Sequence, residues 1–328
     1  MAENIRWGIL STGLIAGAFV RDLQPQPGME IVAVGSRTQA SADSFGEQWS
    51  IPRRYASYEA LAADPDVDVI YIGTPHPYHV ENTLLCLDTG KAVLCEKPFA
   101  MNTHETRRMI DRAREKGLFL MEAMWTRFSP LMQRLTQLLD EGVIGEVRLL
   151  NADFGFAATF DAQHRLFNPA LGGGALLDVG IYPISLASLV FRQQPQTIHS
   201  AARLGETGVD EQNALLFHYA NGAMAQISSA VSLTTPQEAL ILGTKGRIRI
   251  HTPFWKPNRL TIIRDGKDDQ VVTTEDSGYH FQALDVAACL RAGKTESDRM
   301  PLDETLAIMG TLDSIRTQWG LVYPMEQG

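Results

Sequence analysis

Lys97 stands in the run Glu96-Lys97-Pro98, directly after Ala92 to Cys95, an apolar stretch with the composition of a buried strand. A lysine at the start of a following helix faces the positive end of the helix dipole, a mild cost that points to a use for the ammonium. The plainer alternative is a solvated side chain. Asp178 and Tyr182 lie four residues apart in Gly172-Gly173-Gly174-Ala175-Leu176-Leu177-Asp178-Val179-Gly180-Ile181-Tyr182, a spacing that puts both on one face of a helix. Alone, that segment reads as a helix with one acid near its cap and one core tyrosine. An ammonium, a phenol and a carboxylate are nevertheless the groups needed to move a proton on or off a hydroxyl. A phenol of ordinary pKa, about 10, is a weak base at neutral pH, and a cation within about 4 to 6 Å lowers it by about 1 to 3 units. Lys97 is the candidate cation. Asp178, one turn from the phenol, would oppose phenolate formation or act as the base itself, and the sequence leaves both open.

A second constellation lies near the N-terminus. In Gly8-Ile9-Leu10-Ser11-Thr12-Gly13-Leu14-Ile15-Ala16, residues Ser11, Gly13 and Ala16 take the G-x-G-x-x-G/A spacing of a dinucleotide-binding turn, with one glycine missing. Gly13 lets the backbone approach a pyrophosphate at the helix N-terminus, Ala16 permits close packing of helix on strand, and Ser11 must turn without glycine's freedom. Ser11, Thr12, Gly13, Leu14 and Ile15 are therefore candidate cofactor contacts. About 20 residues on, where an NAD enzyme carries an acid for the ribose 2'-hydroxyl, the chain reads Gly35-Ser36-Arg37-Thr38. Ser36 can donate to a 2'-phosphate and Arg37 can pair with it, so NADP is the expected cofactor and NAD the lesser one. Thr74, His76 and His79 follow the strand at Val69 to Gly73 and Glu96 with Lys97 the strand at Ala92 to Cys95, all at the carboxyl edge of the sheet, where a nicotinamide would arrive.

These groups need a scaffold. Short β-branched runs at Arg6 to Leu10, Ile31 to Gly35, Val69 to Gly73, Ala92 to Cys95 and Phe119 to Met121 alternate with helical patterns beginning near Leu14, Ala40, Tyr58, Val80 and Thr103. That is an α/β Rossmann domain, a doubly wound parallel sheet, expected over residues 1–123. Residues 124–328 predict an α+β domain for substrate binding and dimerisation, with a large, mostly antiparallel sheet. Its helices are expected at Pro130 to Glu141 and Ala175 to Phe191. Its strands follow at Val147 to Phe156, Asn213 to Tyr219, Met224 to Val231, Glu238 to Gly243, Arg247 to His251 and Leu260 to Arg264. Two closing helices, near Phe281 to Arg291 and Asp303 to Trp319, complete it. The two domains are expected to meet around Glu122 to Pro130, with the active site in a cleft.

The Gly13 loop, Glu96-Lys97-Pro98 and Asp178-Val179-Gly180-Ile181-Tyr182 together resemble the Gfo/Idh/MocA family of sugar and diol dehydrogenases, over nearly the whole chain. Leu94 to Pro98, Glu122 to Phe128 and Gly173 to Tyr182 most resemble its branch of dimeric dihydrodiol dehydrogenases and NADP-dependent D-xylose dehydrogenases. Many members carry histidine at the place of Tyr182, a departure shared by the diol and aldose branch. The resemblance implies that Lys97 contacts the nicotinamide ribose and the catalytic group, Tyr182 exchanges the substrate proton, Asp178 orients the substrate, and the Pro98 peptide is cis. The implied reaction is hydride transfer between a nicotinamide and a carbinol of a cyclic vicinal diol or aldose, such as a trans-dihydrodiol or D-xylose. A keto-sugar or dicarbonyl reductase, and an NADP-binding regulator without turnover, are the rivals.

Trp125, Phe154, Phe156 and Trp255 are candidates to stack on a ring substrate, and Arg127 to hold a polar group on it. His76, His79, Cys86 and Cys95 include metal-ligand types, but a buried strand cysteine and a helix cysteine do not converge, and no metal is expected. A formal net charge of -9 argues against a nucleic-acid partner. Three scattered cysteines, the absence of room for a leader before Ile5, and short apolar runs such as Ile181 to Phe191 predict a soluble cytoplasmic protein without a membrane partner. An open antiparallel sheet predicts a homodimer, or a dimer of dimers, through that face.

Overall fold

In the computed structural model, which describes residues 4–327, six parallel strands form the first sheet: β1 (Ile5–Leu10), β2 (Met29–Gly35), β3 (Arg53–Tyr55), β4 (Val69–Ile72), β5 (Ala92–Glu96) and β6 (Leu120–Ala123). Their order, β3-β2-β1-β4-β5-β6, reverses direction between β1 and β4, the switch point at which such sheets open a crevice beyond the strands' carboxyl ends. The inner strands are buried from end to end, as strands covered on both faces must be. Helices α1 (Leu14–Leu23), α2 (Gln39–Gln48), α3 (Tyr58–Ala62), α4 (His79–Asp88) and α5 (Thr103–Lys116) connect them. Thr38, Ser57 and Asn102 cap α2, α3 and α5 by accepting from Ser41 N, Ala60 N and Glu105 N, and Gly117, at φ 63°, ends α5. Strand β3 was not expected, because Arg53 and Arg54 break the apolar pattern; it sits at the sheet's edge, where a half-exposed face tolerates them.

The chain partitions into two compact units, the first comprising the residues through Trp125 with Gly278–Leu306 and the second Thr126–Ser277 with Ala307 onward. Helix α8 (His280–Arg291) thus belongs to the first unit, not to the second as the sequence order suggested. Its segment is tied there by Tyr279 N donating to Asp22 (3.0 Å), Leu120 N to the Thr295 carbonyl (3.1 Å) and Thr305 Oγ1 to buried Glu122 (3.1 Å).

The second unit is built on eight strands: β7 (Val147–Gly155), β8 (Thr197–Leu204), β9 (Asp210–His218), β10 (Met224–Ala230), β11 (Ala239–Gly243), β12 (Gly246–Ile250), β13 (Arg259–Ile263) and β14 (Gln270–Thr273). The order is β14-β13-β12-β11-β7-β10-β9-β8, antiparallel at every junction except β7–β10, which is parallel. Strands β8 and β14 were not anticipated; both are edge strands without a fully buried residue. Strands β9 and β10 alternate buried and exposed, so one sheet face is covered and the other open. Helices α6 (Pro130–Asp140) and α7 (Ile181–Phe191) pack in this unit, α7 on β7 and β10. The helix α9 (Leu302–Trp319) contributes its residues from Ala307 to it.

The helix expected at Ala175 to Phe191 begins with a π turn, Leu176–Gly180, before α7. A Cβ on Gly180 would lie 2.7 Å from Ser229 Oγ of β10, so glycine permits this helix its close approach to the sheet. The run Pro169–Phe191 is long and apolar enough to cross a membrane, unlike the short run the sequence suggested, but 89% of its most apolar 18-residue stretch is buried inside the protein, which makes it a core helix here. Replacing Gly180 by Val is expected to lower the unfolding free energy by roughly 1–3 kcal/mol through overpacking. An unchanged denaturant midpoint would contradict the close approach.

Candidate functional site

At the carboxyl end of β1 the chain turns on Ser11, which holds φ 127° without being glycine. Its Oγ accepts from Gly13 N at 3.2 Å, which fixes the strained turn locally. Helix α1 then starts at Leu14, after its N-cap Gly13, with no side-chain cap and no acidic residue in its first turn to take its leading N–H groups. A Cβ on Gly13 would meet only Ser11 Oγ, at 3.5 Å, so the chain itself does not require glycine there; an approaching group would. Leu14 is 97% exposed and Ile15 half-buried beside this opening. Thr12 and Ser36 hydroxyls lie 3.3 Å apart, which joins the turn to the end of β2, and Arg37 is exposed just beyond. An uncapped helix start, a glycine opening and a guanidinium with no acid at the second strand's end fit a dinucleotide carrying a 2'-phosphate.

The end of β5 is organised from beneath. Glu96 is buried and its Oε1 accepts from the fully buried Tyr71 hydroxyl of β4 at 2.6 Å, while its Oε2 accepts from Lys97 N at 3.2 Å. Phe19 of α1 stacks on Tyr71 with centroids 3.9 Å apart and planes at 2°, so the first helix, β4 and the Lys97 turn share one packed column. Burial pushes the Glu96 carboxyl up to about 7, partly opposed by the Tyr71 hydrogen bond and the Lys97 charge. Lys97 is half-buried, and its peptide to Pro98 is cis. His79, expected near the nicotinamide, is fully buried instead: its ring nitrogens lie 2.8 Å from the Pro98 and Thr74 carbonyls. Burial lowers its basicity against those two carbonyls, and a neutral ring can donate to one of them only. It therefore acts on the Lys97 turn through Pro98, with no nitrogen left to present to a ligand. Thr74 is buried too, its hydroxyl accepting from Asn82 Nδ2 at 3.1 Å, whereas His76, 5.9 Å from the His79 ring, is half-buried.

In the second unit, buried Asp210 takes Leu176 N (2.8 Å) and Asn213 Nδ2 (2.8 Å) on Oδ2, supplying the helix start with an acceptor from β9. Burial pushes this carboxyl up to about 7. Gly174, at φ 118°, has no room for a Cβ against Asp210, and a Cβ on Gly173 would lie 2.8 Å from the Leu166 carbonyl and 2.9 Å from that of Arg165. The triple glycine thus lets the segment 165–168 lie against the helix start. There Arg165 Nη1 donates to Asp178 Oδ1 at 2.6 Å. Asp178 sits in the π turn Leu176–Gly180, and Tyr182 in the first turn of α7 that follows it. Tyr182, 9% exposed, lies 5.4 Å from the Phe154 ring, which stacks on Trp255 at 5.0 Å with planes at 2°; Phe156 is 6.4 Å away. Trp255 is held by its Nε1 donating to Gln237 at 3.0 Å.

Two residues expected as substrate contacts are buried. Arg127 is buried and donates to the Ser185 hydroxyl and carbonyl, both at 2.9 Å, binding the segment before α6 to α7. Trp125 is 3% exposed and packs 4.7 Å from Tyr279 within the first unit. Cys86 and Cys95 are buried thiols, both pushed up by burial, and among the described residues no three metal-ligating side chains gather. The sequence reading missed Arg165 and Asp210. The run of glycines was the available signal, since three together announce that other backbone or side chains come close.

The model of the Gfo/Idh/MocA oxidoreductase family with an NAD-binding Rossmann fold matches residues 5–124, and the family's C-terminal domain matches 132–249. The chain is 38% identical, over 334 residues, to the trans-1,2-dihydrobenzene-1,2-diol dehydrogenase of Bos taurus, covering 98% of this chain and 99% of that one. The chain belongs to the Gfo/Idh/MocA family. This oxidoreductase is likewise 39% identical to the Mus musculus protein of the same name, with 98% and 99% covered. Among solved structures, KijD10, a 3-ketoreductase from Actinomadura kijaniata in complex with NADP and TDP-benzene, matches with a TM-score of 0.85 and 27% identity over 96% of this chain and 98% of its own. Family and fold are those the motifs implied.

For Glu96, a folded-state value of about 7 above an ordinary 4.5 means the fold favours the protonated carboxyl. Its stabilising effect is fully present below about pH 4.5 and is lost as the pH rises toward 7. Thermal melts of the wild type and Glu96→Gln at about pH 5 and pH 8 should therefore show the variant gaining a few degrees on the wild type at the higher pH. A constant difference would mean the carboxyl does not titrate there.

Proposed function

We propose that this oxidoreductase is an NADP-dependent dehydrogenase that oxidises a carbinol of a cyclic vicinal diol or aldose, of the trans-dihydrodiol or D-xylose type. The observation that carries the reading is the arrangement around Tyr182: a phenol 5.4 Å from Phe154, itself stacked on Trp255, with the ion-paired Asp178 in the turn before. A flat aromatic wall suits the face of a ring, and a phenol and a carboxylate suit its hydroxyls. The names of the similar proteins, diol dehydrogenases and a sugar ketoreductase, support the same substrate class.

Bound NADP would supply the hydride acceptor, held by the Gly13 turn with Thr12 and Ile15, by Ser36 and Arg37 at the 2'-phosphate, and by the Thr74 to His76 and Glu96 to Lys97 segments. Tyr182 takes the hydroxyl proton as the carbinol carbon gives up its hydride, so the products are a carbonyl compound and the reduced nicotinamide. Lys97 supplies the positive charge that brings the phenol within reach of neutral pH, and Asp178 holds a neighbouring hydroxyl. Run backwards, the same phenol protonates the oxygen of a carbonyl substrate, and the 3-ketoreductase similarity favours that direction as the second reading. The open face of β7, β9, β10 and β11, with Leu216 and Leu240 among its residues, is the surface through which two copies pair in a homodimer. The expected cytoplasmic location belongs to the same reading.

A panel of dihydrodiols, xylose, glucose and keto-sugars, followed by nicotinamide absorbance with both cofactors, tests the reading; tight NADPH binding without turnover of any of them would make the protein a regulator. On the substrate so found, Tyr182→Phe should cut kcat by roughly 100-fold or more while moving the NADP affinity by less than about 3-fold. Unimpaired turnover would hand the proton to Asp178. Arg37→Asp should lower the NADPH-over-NADH preference by about 10- to 100-fold, as expected for loss of a charge-assisted phosphate contact. An unchanged ratio would remove Arg37 from the phosphate site.

A further inference from the structure

Asp178 and Tyr182 pose a problem that the proposed reaction must solve. A carboxylate close to a phenol works against the phenolate, and a buried carboxylate with no counter-charge takes up a proton of its own, which would make it a competing acid or base. Asp178 has only 7% of its side chain exposed, and Arg165, 53% exposed, meets it from the preceding loop at 2.6 Å. The guanidinium pairs with the carboxylate where it lies.

The placement of Arg165 is built into the chain. Gly174 N donates to the Leu166 carbonyl at 2.9 Å and Gly173 N to the Asn168 carbonyl at 3.1 Å, so backbone bonds hold the residues directly after Arg165 to the helix start. The approach is possible only because position 173 lacks a Cβ, which would collide with the Arg165 and Leu166 carbonyls. The Tyr323 hydroxyl, fully buried, donates to the Gly173 carbonyl at 2.6 Å and fixes the glycine from its other side. A loop tied down at this many points sets the guanidinium at the carboxylate and spares it the conformational search of an ordinary surface arginine.

We propose that Arg165 is a positioning residue of the site, holding Asp178 as a fixed carboxylate that accepts a hydrogen bond from the substrate's second hydroxyl and leaving proton exchange to Tyr182. This rests on the dehydrogenase reading above. It makes Arg165 a determinant of specificity for substrates with two adjacent hydroxyls, since a mono-alcohol gains nothing from a correctly held Asp178.

Arg165→Gln should raise KM for the diol or aldose about 10- to 100-fold, change kcat by less than about 3-fold, and leave NADP affinity and the loss caused by Tyr182→Phe as they were. Arg165→Lys should restore part of the KM, and Arg165→Ala should regain activity when guanidinium ion is added at millimolar concentration, a rescue that a merely structural role would not give. A fall in kcat with unchanged KM would place Arg165 in the proton step instead, and unchanged kinetics in all three variants would overturn the proposal. If the wild type turns over nothing in the panel, the substrate reading fails separately, and the ion pair is read by infrared spectroscopy at about pH 6. A protonated-carboxyl band should appear in Arg165→Gln, vanish when Asp178→Asn is added, and be absent from the wild type; the same spectrum in wild type and Arg165→Gln would show that Arg165 does not hold the carboxylate ionised.

Discussion

The buried carboxyl of Asp210 is the fixed point of the second unit. A helix whose first turn is buried must find acceptors for its leading N–H groups, and here Asp210 reaches from β9 to take Leu176 N. Because the carboxyl comes from a strand rather than from the helix's own cap, Gly174 must pass it without a Cβ, and Gly173 passes the Arg165 and Leu166 carbonyls in the same way. The same bare backbone admits Arg165 to Asp178 and aims the π turn from which Tyr182 follows. The first unit treats an equivalent problem in the opposite way. Helix α1 has neither a side-chain cap nor an early acid, and its donors are left for an anion from outside. One helix start is satisfied internally, by a carboxyl from a neighbouring strand, and the other carries no acceptor of its own.

The alternating architecture was readable because its strands are buried on both faces and its helices carry polar caps, so composition and periodicity agree. What escaped was written in other terms. Strands β3, β8 and β14 lie at sheet edges, where exposure removes the apolar signal on which strand recognition depends. The π turn escaped because a one-residue change in helical phase leaves no mark in a list of apolar positions. The division of the chain was only half visible: the change of texture after Trp125 is real, but no composition shift marks Gly278–Leu306 as returning to the first unit.

At the candidate site, the placement of motif residues could be anticipated from the sequence, and the hydrogen-bond partners of buried polar residues could not. Ser11 is strained where the missing glycine demanded it, and Lys97 follows the fifth strand as its spacing required. Arg127 and His79 looked equally available in the sequence, yet each spends its donors on backbone or hydroxyl partners far along the chain, Ser185 for one and Pro98 for the other. A buried polar side chain answers first to the groups that would otherwise be unsatisfied around it. Glu96 shows the mixed case, adjacent to the chemistry and held in place by Tyr71 from the neighbouring strand.

The membership of α8 in the first unit has a consequence for how the protein is made. Synthesis runs from the N-terminus, and all six strands of the first sheet have left the ribosome once Ala123 has emerged, while the segment that contacts α1 and supplies Tyr279 to Asp22 and Trp125 arrives more than a hundred residues later. During that interval the nascent unit carries an uncovered flank, with the entire eight-stranded sheet being added in between. Its nucleotide-binding half therefore reaches its finished form late in translation, and a gene fragment ending near residue 125 would encode the complete sheet without the piece that closes over it.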